Sequence, residues 1–131
     1  MTIRNSQTYD NLLLLKDAGA VTADGAATVA SVARVLDLGA ARMQAKVVLE
    51  TSAIDQVTGD ETYRVSLQGC AAIGFGSGVV ELGSVLVAAA GRNEILFVNE
   101  QNGTIYQYVR LYTDVTGTTP SLNFIGFIAK V

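Results

Sequence analysis

The sequence predicts an all-β fold: a single antiparallel β-sandwich or jelly roll preceded by an extended N-terminal arm. Three observations predict it. From residue 42 onward apolar residues recur with a period of two, turn chemistry separates the runs at short regular intervals, and no stretch carries a convincing helical pattern.

The elements follow in order. Residues 1–11 are polar, and 17–31 are rich in Ala, Gly, Thr and Asp, with a turn at Asp24-Gly25. Little here builds a core. Two readings fit: an arm anchored on a partner by Leu12, Leu13, Leu14 and Leu15, or a loose terminus with a short edge strand. The arm is the expectation carried forward, with residues 1–31 as arm and 32–131 as the β domain. Val29, Val32, Ala33 and Leu36 fit helical spacing, yet β-branched content favours a strand over 33–38.

In 43–50, Met43, Ala45, Val47 and Leu49 alternate with Gln44, Lys46, Val48 and Glu50, the pattern of a half-buried strand. In 62–70, Tyr63, Val65 and Leu67 alternate with Thr62, Arg64, Ser66 and Gln68. Further strands are expected over 79–82, 84–89, 94–99, 105–113 and 122–130. Residues 58–61, 74–78, 91–93, Asn102-Gly103 and 117–120 supply the turns between them.

At 131 residues the chain buries roughly two-thirds of its unfolded surface as one domain. Half of it is apolar, but only 16% is charged, against roughly 25% in ordinary globular domains. Such a surface is short of solvated side chains and suits coverage by a partner subunit. The net charge is −3, and Lys and Arg are scattered singly. That pattern lacks the basic stripe of a nucleic-acid binder and the polybasic patch of a membrane-surface protein. The apolar run at Leu12–Leu15 is too short for a signal peptide or a spanning helix, so a soluble intracellular product is expected.

The chain contains no histidine, which removes the usual general base at neutral pH and the commonest metal ligand. Cys70 is alone and reads as a small buried hydrophobe on a strand. Residues 74–78, Gly-Phe-Gly-Ser-Gly, look like a phosphate loop, but a β-type run follows rather than a helix, and no Walker lysine is present. Asp55, Asp60 and Glu61 lack calcium-loop spacing and read as a solvated turn. Glu50, Glu81, Glu94 and Glu100 cannot be placed as a catalytic pair from sequence. No metal, cofactor or catalytic residue is expected.

The strongest signal outside the core is aromatic. Over 105–113 one face carries Ile105, Gln107, Val109 and Leu111, and the other carries Tyr106, Tyr108, Arg110 and Tyr112. Tyr and Arg join apolar area to polar reach and concentrate at interface hot spots. Three readings stand: a surface covered by a partner, half-exposed strand formers, or a sugar-binding platform.

The runs Thr62-Tyr63-Arg64-Val65-Ser66-Leu67-Gln68-Gly69 and Phe75-Gly76-Ser77-Gly78-Val79-Val80-Glu81-Leu82 resemble the capsid cement (decoration) proteins of tailed bacteriophages. So do Tyr108-Val109-Arg110-Leu111-Tyr112 with Val115-Thr116-Gly117-Thr118-Thr119-Pro120-Ser121, Asp17-Ala18-Gly19-Ala20-Val21-Thr22, and Val35-Leu36-Asp37-Leu38-Gly39. The likeness spans most of the chain in short β-sequence; residues 87–91 are plainer than the pattern. It implies a jelly roll, made in the bacterial cytoplasm and carried on the outer capsid surface of the virion. Copies in that family commonly form trimers and clamp neighbouring major capsid protein subunits, without catalysis, cofactor or direct nucleic-acid contact. The rival from another class is a carbohydrate-binding β-sandwich of a phage tail, with Tyr106, Tyr108 and Tyr112 as its platform. A metal-dependent jelly-roll enzyme is a third, opposed by the missing histidines.

Overall fold

The computed structural model describes residues 13–129, which form strands and connecting turns without an α-helix. In chain order the strands are β1 (Leu14–Lys16), β2 (Ala20–Val21), β3 (Gly25–Ala26), β4 (Thr28–Val29), β5 (Val32–Ala33), β6 (Leu36–Asp37) and β7 (Gln44–Ile54). They continue with β8 (Thr62–Cys70), β9 (Val80–Leu86), β10 (Gly91–Val98), β11 (Glu100–Gln101), β12 (Thr104–Ile105), β13 (Tyr108–Thr116) and β14 (Leu122–Ala129).

Two antiparallel sheets pack face to face. The first has the order β1-β14-β7-β10, with β2 also on the β1 side of β14. The second has the order β3-β13-β8-β9, with β6 also on the β3 side of β13. Val47, Leu49, Phe124 and Ile128 of the first sheet share one core with Val65, Leu67, Val109 and Leu111 of the second. The sheets leave no slack at Gly126, where an added Cβ would lie 2.6 Å from Leu111 Cδ1 and 3.1 Å from Leu49 Cδ2. The all-β sandwich expected from the period of two is therefore the fold.

A second, smaller cluster lies outside the first sheet. Leu14, Val48, Phe127 and Ala129 are buried there, with Val29 of the β4–β5 hairpin packed against them. Val48 was expected on the solvent side of its strand. It is fully buried because this hairpin covers that face.

The leucine run needs correction. Leu14 pairs with Phe127 on β14 and is buried in the outer cluster, while Leu15 is fully buried in the intersheet core. Leu13 is half-buried against that same core; Leu12 lies outside the described residues. Leu14 and Leu15 are therefore buried sheet residues rather than exposed anchors for a partner, and Leu13 packs at the edge of the core. Nor is the described part of the expected arm separate from the domain. Residues 13–31 supply β1 to β4, and Ala27 N–H donates to the Leu111 carbonyl at 2.9 Å. The expected boundary at 31/32 falls inside the β4–β5 hairpin.

Two other strands differ from expectation. The runs 79–82 and 84–89 join as β9, because a bulge opposite Leu67 and Gln68 absorbs Leu82 as an extra residue. The expected strand over 105–113 breaks at 106–107. There the Tyr106 N–H donates to Asn99 and the Gln107 carbonyl accepts from Leu38, drawing the chain off β8.

Candidate partner interface

The outer face of the second sheet brings together Tyr108, Tyr112, Arg110 and Arg64. On β13, Val109, Leu111 and Thr113 point inward and are buried, while Tyr108, Arg110 and Tyr112 alternate outward and are half-buried. The register extends this face across the sheet. Tyr112 lies opposite Ser66 and then Ser84; Arg110 opposite Gln68 and then Glu81; Asp114 opposite Arg64 and then Leu86. A tyrosine strand at one side and an exposed Leu86 at the other therefore bound one continuous surface.

Arg110 is held at its centre. Its Nε donates to Gln68 Oε1 at 2.8 Å, and its guanidinium carbon stands 4.4 Å from the Phe75 ring centroid and 5.9 Å from that of Tyr112. Stacking on an aromatic face together with a fixed hydrogen bond restricts the rotamers of a long side chain before any partner arrives. Phe75 comes from the loop over 71–79 and is itself buried, with a positive φ of 51°. The Phe75 N–H donates to the Ala72 carbonyl, and Cys70 Sγ lies 3.3 Å from the Ser77 carbonyl oxygen. Cys70 is thus a buried strand residue beneath this loop, as read from sequence. The loop leads into β9, a strand, so its backbone amides do not open a helix toward a phosphate.

Beside this cluster Arg64 Nη2 pairs with Glu81 Oε1 at 2.5 Å and reaches Ser84 Oγ at 3.1 Å. Arg42–Glu100 and Arg92–Glu94 form further exposed pairs at 3.0 Å each. Glu94 also takes Lys46 Nζ at 3.3 Å, and that hydrogen bond is the main reason its carboxyl titrates below its usual range.

Not all the sequence-predicted residues meet. Tyr108, Arg110 and Tyr112 share the outer face. Tyr106 does not: with Leu82 it fills the space beside Gly69, where an added Cβ would come 3.1 Å from Tyr106 Cβ and 2.8 Å from Leu82 Cδ1. Leu13, Leu14 and Leu15 lie in the sandwich. Sequence reading missed Phe75, Gln68 and Leu86. The alternation of Ser84 and Leu86 with Val85 was a usable signal for Leu86. Nothing local announced that Phe75 folds back over Arg110.

The acidic loop residues tie the far end of the sandwich together. Asp60 accepts from the Thr118 N–H and hydroxyl at 3.1 and 2.9 Å, and these bonds, backbone first, hold its carboxyl below the usual range. Glu61 is buried and accepts from the Thr58 and Gly59 N–H groups. Asp55 accepts from the Val57 N–H through its side chain and from the Tyr63 hydroxyl through its carbonyl. These contacts account for the carboxylates as loop fasteners.

Among known proteins, no family model matches the chain, and no curated protein matches it.

Proposed function

We propose that this chain is a structural virion protein that decorates and stabilises a phage capsid by bridging neighbouring major capsid protein subunits. It acts passively, without catalysis or cofactor, at the outer capsid surface. The observation that carries this reading is the outer face of the second sheet. There Tyr108, Arg110, Tyr112 and Leu86 stay partly or largely exposed while Gln68 and Phe75 hold the arginine in place. Half-buried tyrosine and fixed arginine are the composition of an interface hot spot, and prior ordering lowers the entropy lost on binding.

The fold supports the same reading. Once β1/β2 and β3/β6 are each taken as one interrupted strand, eight principal strands fill the orders β1-β14-β7-β10 and β3-β13-β8-β9, and every step along the chain crosses between sheets except the β8–β9 hairpin. We read this as a jelly roll, the architecture that the sequence resemblance to cement proteins implies. A cement trimer presents three copies of each contact face, and linked contacts exceed a single one by roughly 10²–10⁴ in avidity where geometry lets them engage together. The low charged fraction fits a protein much of whose surface is covered in its working assembly.

Co-sedimentation with empty shells of the phage's major capsid protein tests the reading. Saturable pelleting of the purified chain, reduced by Tyr108→Ala, supports it. A chain that stays in the supernatant at all shell concentrations contradicts it. Retention on glycans with no shell binding would point instead to a carbohydrate module, although the separation of Tyr106 leaves only Tyr108 and Tyr112 for such a platform.

A further inference from the structure

One end of the sandwich carries both a hydrophobic knob and an apolar groove. The register row Asp37–Tyr108–Cys70 places β6, the start of β13 and the end of β8 together at this end. The loop over 71–79 leaves from Cys70, and its tip residue Ile73 is 65% exposed. Ala71, Ala72 and Gly74 beside it are exposed too, and the whole loop contains no charged residue. The loop is braced from below by buried Phe75 under Arg110 and by the Cys70 to Ser77 contact. An apolar side chain in water on a braced loop is poised to dock, because little ordering remains to oppose binding.

The groove is about 440 Å³ and lies between the sheets at the same end, lined by Leu13, Leu38, Met43, Ala45, Ile128 and Ala129. Among the described residues its one charged lining residue is Asp37, whose Oδ1 already accepts from Gly39 N–H at 2.8 Å and Gln107 Nε2 at 3.0 Å. A groove whose single charge is engaged by its own chain favours an uncharged apolar occupant, which is the character of the Ile73 loop. The exposure of Ile73 shows that it does not fill a groove within its own chain.

We infer that copies of this chain associate through this end, with Ile73 of one copy seated in the Leu38–Met43–Ile128 groove of another. Knob and groove lie at one end, so each copy offers one of each, and the contact closes as a reciprocal pair or as a small ring. The inference deepens the proposed decoration role at its self-association step and names the surfaces that perform it.

The test uses the full chain in solution, without particles. The variant Ile73→p-benzoylphenylalanine is irradiated and its cross-linked peptides are identified, while Ile73→Asp is compared with wild type by sedimentation velocity and circular dichroism. The expected result is intermolecular cross-links from position 73 to the strand segments bearing Met43 or Ile128. With them, Ile73→Asp loses the associated species and keeps an unchanged β spectrum. Cross-links confined to one chain, including to residues 1–12, or landing on another surface, overturn the inference, as does wild-type protein that is monomeric at every concentration. Shell binding is read separately. A chain that fails this test yet binds shells overturns the knob and groove alone; one that passes and ignores shells overturns the capsid reading alone.

Discussion

The Lys16 ammonium lies 4.5 Å above the Phe124 ring centroid and donates to the Phe124 carbonyl at 2.8 Å. Two further bonds reach the Asp17 and Gly19 carbonyls at 2.9 and 2.8 Å, so one lysine fastens the turn after β1 onto β14. The residue is only 4% exposed, and burial lowers its pKa, with the Asp17 charge opposing in part. Lys16→Met leaves these carbonyls without their donor and should cost about 1–3 kcal/mol, read from urea unfolding midpoints. The pH dependence has a definite sign. Between the lowered folded value and 10.5 the unfolded chain holds more protons than the folded one. Stability from Lys16 therefore rises with pH across that window. The wild-type advantage over Lys16→Met should grow as pH approaches 10.5, and a shrinking gap would contradict the buried-ammonium geometry.

Leu15→Ala should cost about 2–5 kcal/mol, because it empties a fully buried site between tightly packed sheets. Leu14→Ala should be destabilising as well, through the outer cluster with Val48 and Phe127. Thermal melting of the purified variants checks both. A docking arm would instead leave the melting curve unchanged and weaken attachment only.

Asp60→Asn should lower stability near neutral pH and make little difference at the acid end. The folded carboxyl titrates below 3.8 because Thr118 donates to it twice, so its contribution is present above that value and is lost as pH falls through the lowered folded pKa. Melting temperatures measured on descending pH should converge for wild type and variant at the acid end. Curves that stay parallel would mean the Asp60–Thr118 contact does not persist in solution.

Tyr108→Ala should leave the fold intact, since the ring is half-exposed on the outer face. Loss of a central anchor typically costs about 2 kcal/mol or more, roughly thirtyfold in affinity. The expected readout is weaker assembly or shell occupancy with an unchanged circular dichroism spectrum. Unfolding of the variant would place this face in the core, and glycan loss alone would favour a sugar platform.

Strands β7, β8, β13 and β14 were legible because their inward residues repeat every second position and turns bound them. Tertiary covering was not legible. Val48 looks solvent-facing in its own strand and becomes buried only because the earlier β4–β5 hairpin folds across it. The leucine run misled for a related reason: β1 has three residues, too few to display a period, and its partner β14 lies at the other end of the sequence. The tyrosine face was visible from alternation through Tyr108, Arg110 and Tyr112. Tyr106 fell outside it once backbone bonds with Asn99 and with distant Leu38 broke the strand. Ile73 sits in a glycine-rich loop where no periodicity speaks, so its exposure is legible only in three dimensions.

Image reconstruction of phage heads bearing this protein tests the central claim most directly. The account predicts density for a β-sandwich on the outside of the shell, with each copy touching more than one major capsid subunit. The outer face with Tyr108, Arg110 and Tyr112 should be buried against a neighbour. Heads that lack such density while the protein sits at the tail or inside the shell, or a sandwich attached with that face open to solvent, would contradict it.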